Sequence, residues 1–278
     1  MFKSKSFRFR WINAQCFEFQ LNNGKTLLTD PCYSCKESFG KKCPPGFTTQ
    51  DLEGCDYLFV NHSHGDHVAN LQEVYDRFHP TVIAPSPICF ELAKEHEFVL
   101  TDIYPVDYNQ TYYFDGFILE TFHGQHHRYD ATYQNIAEKF KGKYPGSRDL
   151  NALGSIFNMN FILTTDQGFR VAFIGGNDDG MLQRMAGTKK PNIVLRNKMA
   201  SSAVKEGVAE AFADWVNKAD IQLLVPMHYE TWLTEDPVFA KKVFSDMNNM
   251  LESSHAVARA ACIERTKWYT VNITIEED

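Results

Sequence analysis

Within Asn61-His62-Ser63-His64-Gly65-Asp66-His67, three imidazoles and one carboxylate fall inside six residues. Imidazole nitrogen and carboxylate oxygen are the donors that zinc and its first-row neighbours accept. So many donors on one tight loop crowd a single tetrahedral ion, whereas two adjacent ions can share them, so the spacing predicts a pair of divalent metals. Zinc suits the set best, and manganese or iron is tolerated by the same nitrogens and carboxylates. Catalytic metal sites keep a position open for water, and water shared by two cations has its pKa lowered from about 15.7 toward about 7. The chemistry on offer is attack by hydroxide on an electrophile, with no side-chain nucleophile. Gly65 is expected to relieve backbone strain where the loop turns.

Elements that must position this cluster are legible on both sides of it. Phe7, Phe9 and Trp11 alternate with Arg8 and Arg10, and Phe17, Phe19 and Leu21 alternate with Glu18 and Gln20, the period of half-buried strands. Asn23-Gly24 supplies a hairpin turn into a third strand, Thr26 to Thr29, which runs into Asp30-Pro31. A short apolar run from Tyr57 to Val60 reads as a buried strand ending at the cluster, which places the donors on a strand-end loop. Val68, Leu71, Val74, Tyr75 and Phe78 recur at helical spacing up to the stop at Pro80. Further strands are predicted at Thr81 to Ala84, Phe117 to Phe122, Phe157 to Thr164, Phe169 to Ile174, Ile193 to Leu195 and Ile221 to Val225. One helix carries Val204, Val208, Phe212 and Trp215 on a face. Another opens with Asp236 as N-cap and Pro237 at the first position, and buries Phe239, Val243 and Met250. Strands followed by alternating strands and helices, twice over, predict one α/β unit over residues 1–278.

Composition narrows the partners. Lys plus Arg total 28 against 35 Asp plus Glu, a formal charge of -7, which disfavours nucleic acid. The N-terminal stretch lacks the continuous apolar core of a secretion signal, and no run of about 18 apolar residues is present to span a membrane. A cytoplasmic protein acting on a small molecule is expected, its oligomeric state left open. The seven cysteines are odd in number. Cys32, Cys35, Cys43 and Cys55 offer four thiolates to a structural zinc, but the second pair lacks C-x-x-C spacing, so free thiols are the expectation.

His62-Ser63-His64-Gly65-Asp66-His67 resembles the His-x-His-x-Asp-His motif of the metallo-β-lactamase superfamily, here placed after a buried strand and before a helix. Leu27-Leu28-Thr29-Asp30-Pro31 and Leu224-Val225-Pro226-Met227-His228 are similar to segments of the branch containing ascorbate-6-phosphate lactonase and the N-acylphosphatidylethanolamine phospholipase D-like hydrolases. The resemblance implies an αββα sandwich of two mixed sheets flanked by helices. It implies that His62, His64 and His126 hold one metal, that Asp66, His67 and His228 hold the other, and that Asp178 of Asn177-Asp178-Asp179-Gly180 bridges them. His123 competes with His126 for the third ligand position, His127 lies close by, and Asp179 competes with Asp178. Asp30 is implied to orient a ligand histidine, with an ordinary turn aspartate as the alternative.

The activity implied is hydrolysis of an ester, lactone or phosphodiester of a small, anionic substrate by a metal-bridging hydroxide. Asp66 or the spare His123 would protonate the leaving group. Arg196 or Lys198, following a buried strand, would receive a carboxylate or phosphate, unless they are simply a solvent-facing pair. The charged stretch at about 127–155, with Arg128, Tyr129, Lys139, Lys141, Lys143 and Arg148, is a candidate lid or a solvated insertion. Rival readings are a thioester hydrolase or persulfide dioxygenase-like enzyme, a diiron redox protein, and a noncatalytic metal-binding or sensor protein. The diiron reading is disfavoured because His64 stands where such proteins typically carry glutamate.

Overall fold

The computed structural model describes residues 2–34, 43–126, 141–142, 145–176, 178, 180–197 and 206–275. Among them, two seven-stranded mixed sheets face one another, as the αββα expectation requires. The first contains β1 (Phe2–Asn13), β2 (Cys16–Gln20), β3 (Thr26–Thr29), β4 (Tyr57–Phe59), β5 (Thr81–Pro85), β6 (Ile103–Val106) and the C-terminal β14 (Tyr269–Ile275), in the order β14-β1-β2-β3-β4-β5-β6. The second contains β7 (Thr111–Phe114), β8 (Phe117–Gly124), β9 (Asn158–Thr165), β10 (Arg170–Ile174), β11 (Ile193–Asn197), β12 (Leu223–Met227) and β13 (Arg259–Ala260), in the order β13-β12-β11-β10-β9-β8-β7.

Both sheets are antiparallel where hairpins connect the strands and become parallel from β3 to β6 and from β10 to β13. Parallel neighbours need a crossover, and helices supply it. They are α1 (Gly65–Val68), α2 (Leu71–Phe78) and α3 (Ser86–Glu95) in the first half, while α4 (Leu150–Gly154) lies between the antiparallel strands β8 and β9, and α5 (Met181–Arg184), α6 (Val208–Ala219), α7 (Glu230–Glu235) and α8 (Pro237–Ser253) serve the second sheet. The parallel strands of each sheet therefore end on one side, and the loops leaving them carry the donors.

Aromatic rings fill the space between the sheets. Phe59 of one sheet lies 4.1 Å, centroid to centroid, from Phe161 of the other, which stacks on Phe173 at 4.8 Å. A second cluster on the outer side of the first sheet joins Leu28, Leu58 and Val60 to Leu71, Val74, Ile88 and Leu92 of the helices. With both faces covered, short strands such as β4 and β10 consist almost wholly of buried residues, as strands in the middle of layered folds do.

Three local expectations change in the fold. Arg10 and Glu18, expected on a wet face, are 7% and 0% exposed. Residues 47–54 and Trp268 cover that face: Arg10 Nε donates to Glu18 at 2.7 Å, its guanidinium lies 4.8 Å from the Trp268 ring, and Glu18 also accepts the Glu53 N–H at 2.8 Å. Burial pushes the Glu18 carboxyl up, and Arg10 opposes that shift. The helix expected over Val68 to Phe78 is two helices broken at Ala69-Asn70, because the Asn70 side chain accepts the N–H groups of Tyr33 and Ser34 at 2.8 and 3.0 Å and so pins the loop after Asp30-Pro31. In α8 the Asp236 cap is present, its carboxylate accepting the Phe239 N–H at 3.1 Å. The buried stripe there is Ala240, Val243, Phe244, Met247 and Leu251, leaving Phe239 and Met250 half-buried.

Val208, Phe212 and Trp215 are buried on α6, while Val204 lies outside the described residues. Of the stretch at 127–155, Lys141 and Arg148 form an isolated antiparallel bridge and α4 follows; Arg128, Tyr129, Lys139 and Lys143 lie outside the described residues. No helix among the described residues is long and apolar enough to cross a membrane.

Candidate metal centre

Five strand ends converge. After β3 comes Asp30, after β4 the loop Asn61 to His64 and then α1 with Asp66 and His67, after β8 His126, after β10 Asp178, and after β12 His228. Because β3 and β4 are parallel neighbours with Thr29 opposite Phe59, Asp30 lies beside the start of the histidine loop and accepts the Asn61 N–H at 2.6 Å. The Asn61 carbonyl accepts the Met159 N–H at 3.1 Å, and its side-chain amide donates to the Met159 carbonyl, so one residue ties the loop to the opposite sheet. Gly65 adopts no positive φ, and a Cβ on it would meet nothing within 4 Å. Its expected strain relief is therefore absent. Positive φ is needed instead at Gly176 (+61°), where an added Cβ would come 2.4 Å from the Gln125 carbonyl oxygen.

The donors fall into two groups, His62 with His64 and His126, and Asp66 with His67 and His228; within each, one donor atom per residue lies within 4.8 Å of the others. The groups adjoin through His62 and His67, whose rings are 3.8 Å apart. His64 and His126 rings are 4.5 Å apart, and His228 Nε2 is 3.4 Å from Asp66 Oδ2. His126, not His123, stands with the first group. His123 is exposed on β8, with its ring 4.8 Å from that of Tyr108. Among the described residues, Cys32, Cys43 and Cys55 form no ligand group, and Cys35 lies outside them.

Four of the five imidazoles have one ring nitrogen held by an oxygen acceptor. His62 Nδ1 meets Asn61 Oδ1 at 2.7 Å, His64 Nε2 meets the Asn151 carbonyl at 3.0 Å, His67 Nδ1 meets Asp30 at 2.9 Å and His228 Nδ1 meets Glu230 at 2.9 Å. A carbonyl or carboxylate only accepts, so these nitrogens carry a proton, and it is the other nitrogen of each ring that would offer a lone pair when the ring is neutral. The same outer partners fix tautomer and orientation in metal-ligating histidines. His62 Nε2 and Asp178 Oδ1 are buried with no hydrogen-bond partner among the described residues, which is costly unless a cation completes them. Three nitrogens on one side, and two nitrogens with a carboxylate on the other, fit two divalent ions.

Burial and close packing shift the ionisable groups of the cluster. Burial and then the neighbouring histidines hold His62 well below the usual imidazole range. Burial alone would raise Asp66, but the charges of His67 and His228 outweigh it and hold the carboxyl down. Burial would likewise lower His228, yet Glu230 and Asp66 lift it to about 10. Asp30 is raised by burial, with His67 pulling against the shift.

Asp178, fully buried, accepts from the Gln125 N–H at 3.0 Å, from Asn160 Nδ2 at 2.8 Å and from Arg184, all on Oδ2. Asp179 and His127 lie outside the described residues. Arg196 corrects an expectation: it is 0% exposed, so it is neither solvent-facing nor presented to a solute. It stacks 4.2 Å from the Trp215 ring and donates to the Asp178 carbonyl at 3.1 Å, which makes it a support of that loop. Lys198 lies outside the described residues.

Sequence reasoning missed Asn61, Asn151, Ser155, Asn160, Glu230 and Arg184. Only Asn61 and Glu230 left a local sign, being polar residues within two positions of a donor histidine. Helix α4 comes so close to the cluster that a Cβ on Gly154 would stand 2.7 Å from His64 Cδ2 and 2.9 Å from its backbone nitrogen. Gly154→Ala is therefore expected to displace His64 and weaken retention of any metal held there by about tenfold, the effect of losing an outer partner. A chelator competition titration checks this, and unchanged retention would show that the loop absorbs the methyl group.

A family model described as the metallo-beta-lactamase superfamily matches residues 10–133. Among solved structures, the chain is similar to Igni18, a metallo hydrolase from the hyperthermophilic archaeon Ignicoccus hospitalis, at 16% identity over 97% of this chain and 99% of that one, with a TM-score of 0.64. It is similar to isothiocyanate hydrolase from Delia radicum gut bacteria at 14% identity, covering 94% and 98% of the two chains, with a TM-score of 0.64. It is also similar to CmlA, a diiron beta-hydroxylase from Streptomyces venezuelae, at 13% identity over 97% of this chain and 55% of that one, with a TM-score of 0.59. With its two mixed sheets, its outer helices and the match over residues 10–133, this chain has the fold of the metallo-β-lactamase superfamily.

Proposed function

We propose that this chain is a dinuclear metal-dependent hydrolase that cleaves an ester, lactone or phosphodiester of a small anionic substrate, with His62, His64 and His126 on one ion, Asp66, His67 and His228 on the other, and Asp178 between them. The observation that carries this reading is the set of four imidazoles whose outer nitrogens are each held by an oxygen, around a buried His62 nitrogen and a buried Asp178 oxygen that have no hydrogen-bond partner among the described residues. Two divalent ions there would supply hydroxide at neutral pH and polarise a carbonyl or phosphoryl oxygen.

The chain's own residues do the rest. Asp30, Asn61, Glu230 and the Asn151 carbonyl orient the imidazoles. Asn160, Gln125 and Arg196 hold the Asp178 loop. Asp66, kept ionised between His67 and His228, is the candidate to take the proton of the attacking water and pass it to the leaving group, with His123 as the alternative. The motifs at Asp30-Pro31 and Pro226-Met227-His228 favour the lactonase and phospholipase D-like branch over thioester chemistry. Zinc is the preferred ion, with manganese and iron accommodated by the same donors. The similar fold of a diiron hydroxylase shows why the site, and not the fold, must decide the chemistry.

Elemental analysis of the purified protein, with hydrolysis of a panel of lactones, phosphodiesters and isothiocyanates by wild type and His64→Ala, tests the reading. Two metals per wild-type chain, with turnover lost in the variant, support it and identify the bond cleaved. A wild type that takes up no metal when zinc or manganese is supplied overturns it.

A further inference from the structure

Beyond the two ligand groups, Tyr108 Oη and Arg184 Nε are buried without a hydrogen-bond partner among the described residues, as is Oδ1 of Asp178, the carboxylate that pairs with Arg184. Arg184, at the end of α5, pairs with Asp178 yet remains 29% exposed. Helix α5 packs against β8, where His123 is exposed and lies with its ring 4.8 Å from that of Tyr108. His123 in turn lies close enough to Arg184 and Asp178 to feel both charges. A cation, an imidazole and a phenol thus gather beside Asp178, in place of the Arg196 or Lys198 that the sequence had suggested.

We propose that Arg184, His123 and Tyr108 form a receptor for an anionic group of the substrate, a carboxylate or a phosphate carried next to the bond that is cleaved. This rests on the hydrolase reading above. A guanidinium offers five donors in a planar fork that matches both anions. Its side-chain partner among the described residues, Asp178 Oδ2, already accepts from Gln125 and Asn160. Were Asp178 also to hold a metal ion, its carboxylate would have less charge to share with Arg184. Burial lifts the Tyr108 hydroxyl to about 12, so it remains a hydrogen-bond donor at neutral pH. Burial and the Arg184 charge hold His123 below its usual range, leaving a neutral ring that neither repels Arg184 nor requires a counter-ion.

The test is calorimetric titration of zinc-loaded wild type, Arg184→Gln and Tyr108→Phe with inorganic phosphate and with acetate, alongside zinc per chain for each protein. Arg184→Gln is expected to weaken the preferred anion at least about tenfold, as loss of a charge-assisted contact does, and Tyr108→Phe about threefold, with zinc content unchanged. The tighter of the two probes identifies the anion. Affinities within twofold of wild type in both variants, at equal zinc content, overturn the receptor. Zinc lost from Arg184→Gln with Tyr108→Phe unaltered also overturns it, in favour of a role confined to holding Asp178. A wild type without zinc is a different failure, that of the hydrolase reading, and takes the receptor with it.

Discussion

Hydrolysis by zinc-loaded Asp66→Asn is expected to fall by about a thousandfold, within the range that a positioned proton-transfer group contributes. Asp66 is the lone carboxylate of its group, 3.7 Å from His67 Nε2 and 3.4 Å from His228 Nε2. The amide preserves its shape and one acceptor oxygen but removes the charge, so it neither neutralises an ion nor holds a proton for a leaving group. Zinc per chain separates the two contributions. Retention of both ions with turnover lost assigns Asp66 to proton transfer, whereas loss of one ion assigns it chiefly to binding. Turnover within tenfold of wild type would remove Asp66 from the mechanism.

The second large effect is expected at Asp30. It is fully buried, its backbone adopts φ +38°, and its two oxygens take the Asn61 N–H at 2.6 Å and His67 Nδ1 at 2.9 Å. Asp30→Ala leaves a buried amide and a buried imidazole without their acceptor, a loss of about 3–5 kcal/mol by the standard of broken buried pairs. It should also cost about 10–100-fold in metal affinity, because His67 loses the partner that fixes its tautomer. Urea unfolding with chelator present reads the first effect and metal competition the second. Asp30→Asn is the control: it tolerates the left-handed backbone and keeps an acceptor for Asn61 while losing the charge, so stability should recover more than metal affinity does. A loss below about 1 kcal/mol in Asp30→Ala would show that His67 is satisfied in another way.

Both residues illustrate how the centre is built. Asp66 lies within the histidine motif, whereas Asp30 is over thirty positions away in the chain and reaches His67 only because β3 and β4 run side by side with Thr29 opposite Phe59. Glu230 is similar: two residues beyond His228, it turns back on that ring because His228 adopts φ +61° and the chain enters α7 directly. Such outer partners set tautomers, and they are supplied by whichever strand lies adjacent.

The sequence alone determined whatever depends on neighbours along the chain. Alternation over Phe7 to Trp11 and Phe17 to Leu21 specifies strands. Asn23-Gly24 specifies the turn, closed by the Leu21 N–H to Lys25 carbonyl bond at 2.8 Å, and Asp236-Pro237 specifies a helix start. The donor motif at a strand end and the layered α/β architecture were legible for the same reason: period and turn chemistry are local. Only the tertiary structure decided which face of each element is dry. Strand β14 pairs with β1 from the far end of the chain, and Trp268 with residues 47–54 buries the Arg10–Glu18 face that alternation marks as wet. Strand β8 places His126 with His62 and His64 and leaves His123 on the rim, while the stacking of Arg196 on Trp215 withdraws a cation that sequence had offered to substrate. Burial and partner choice are set by remote segments that close over a site, and no local pattern encodes which segment that will be.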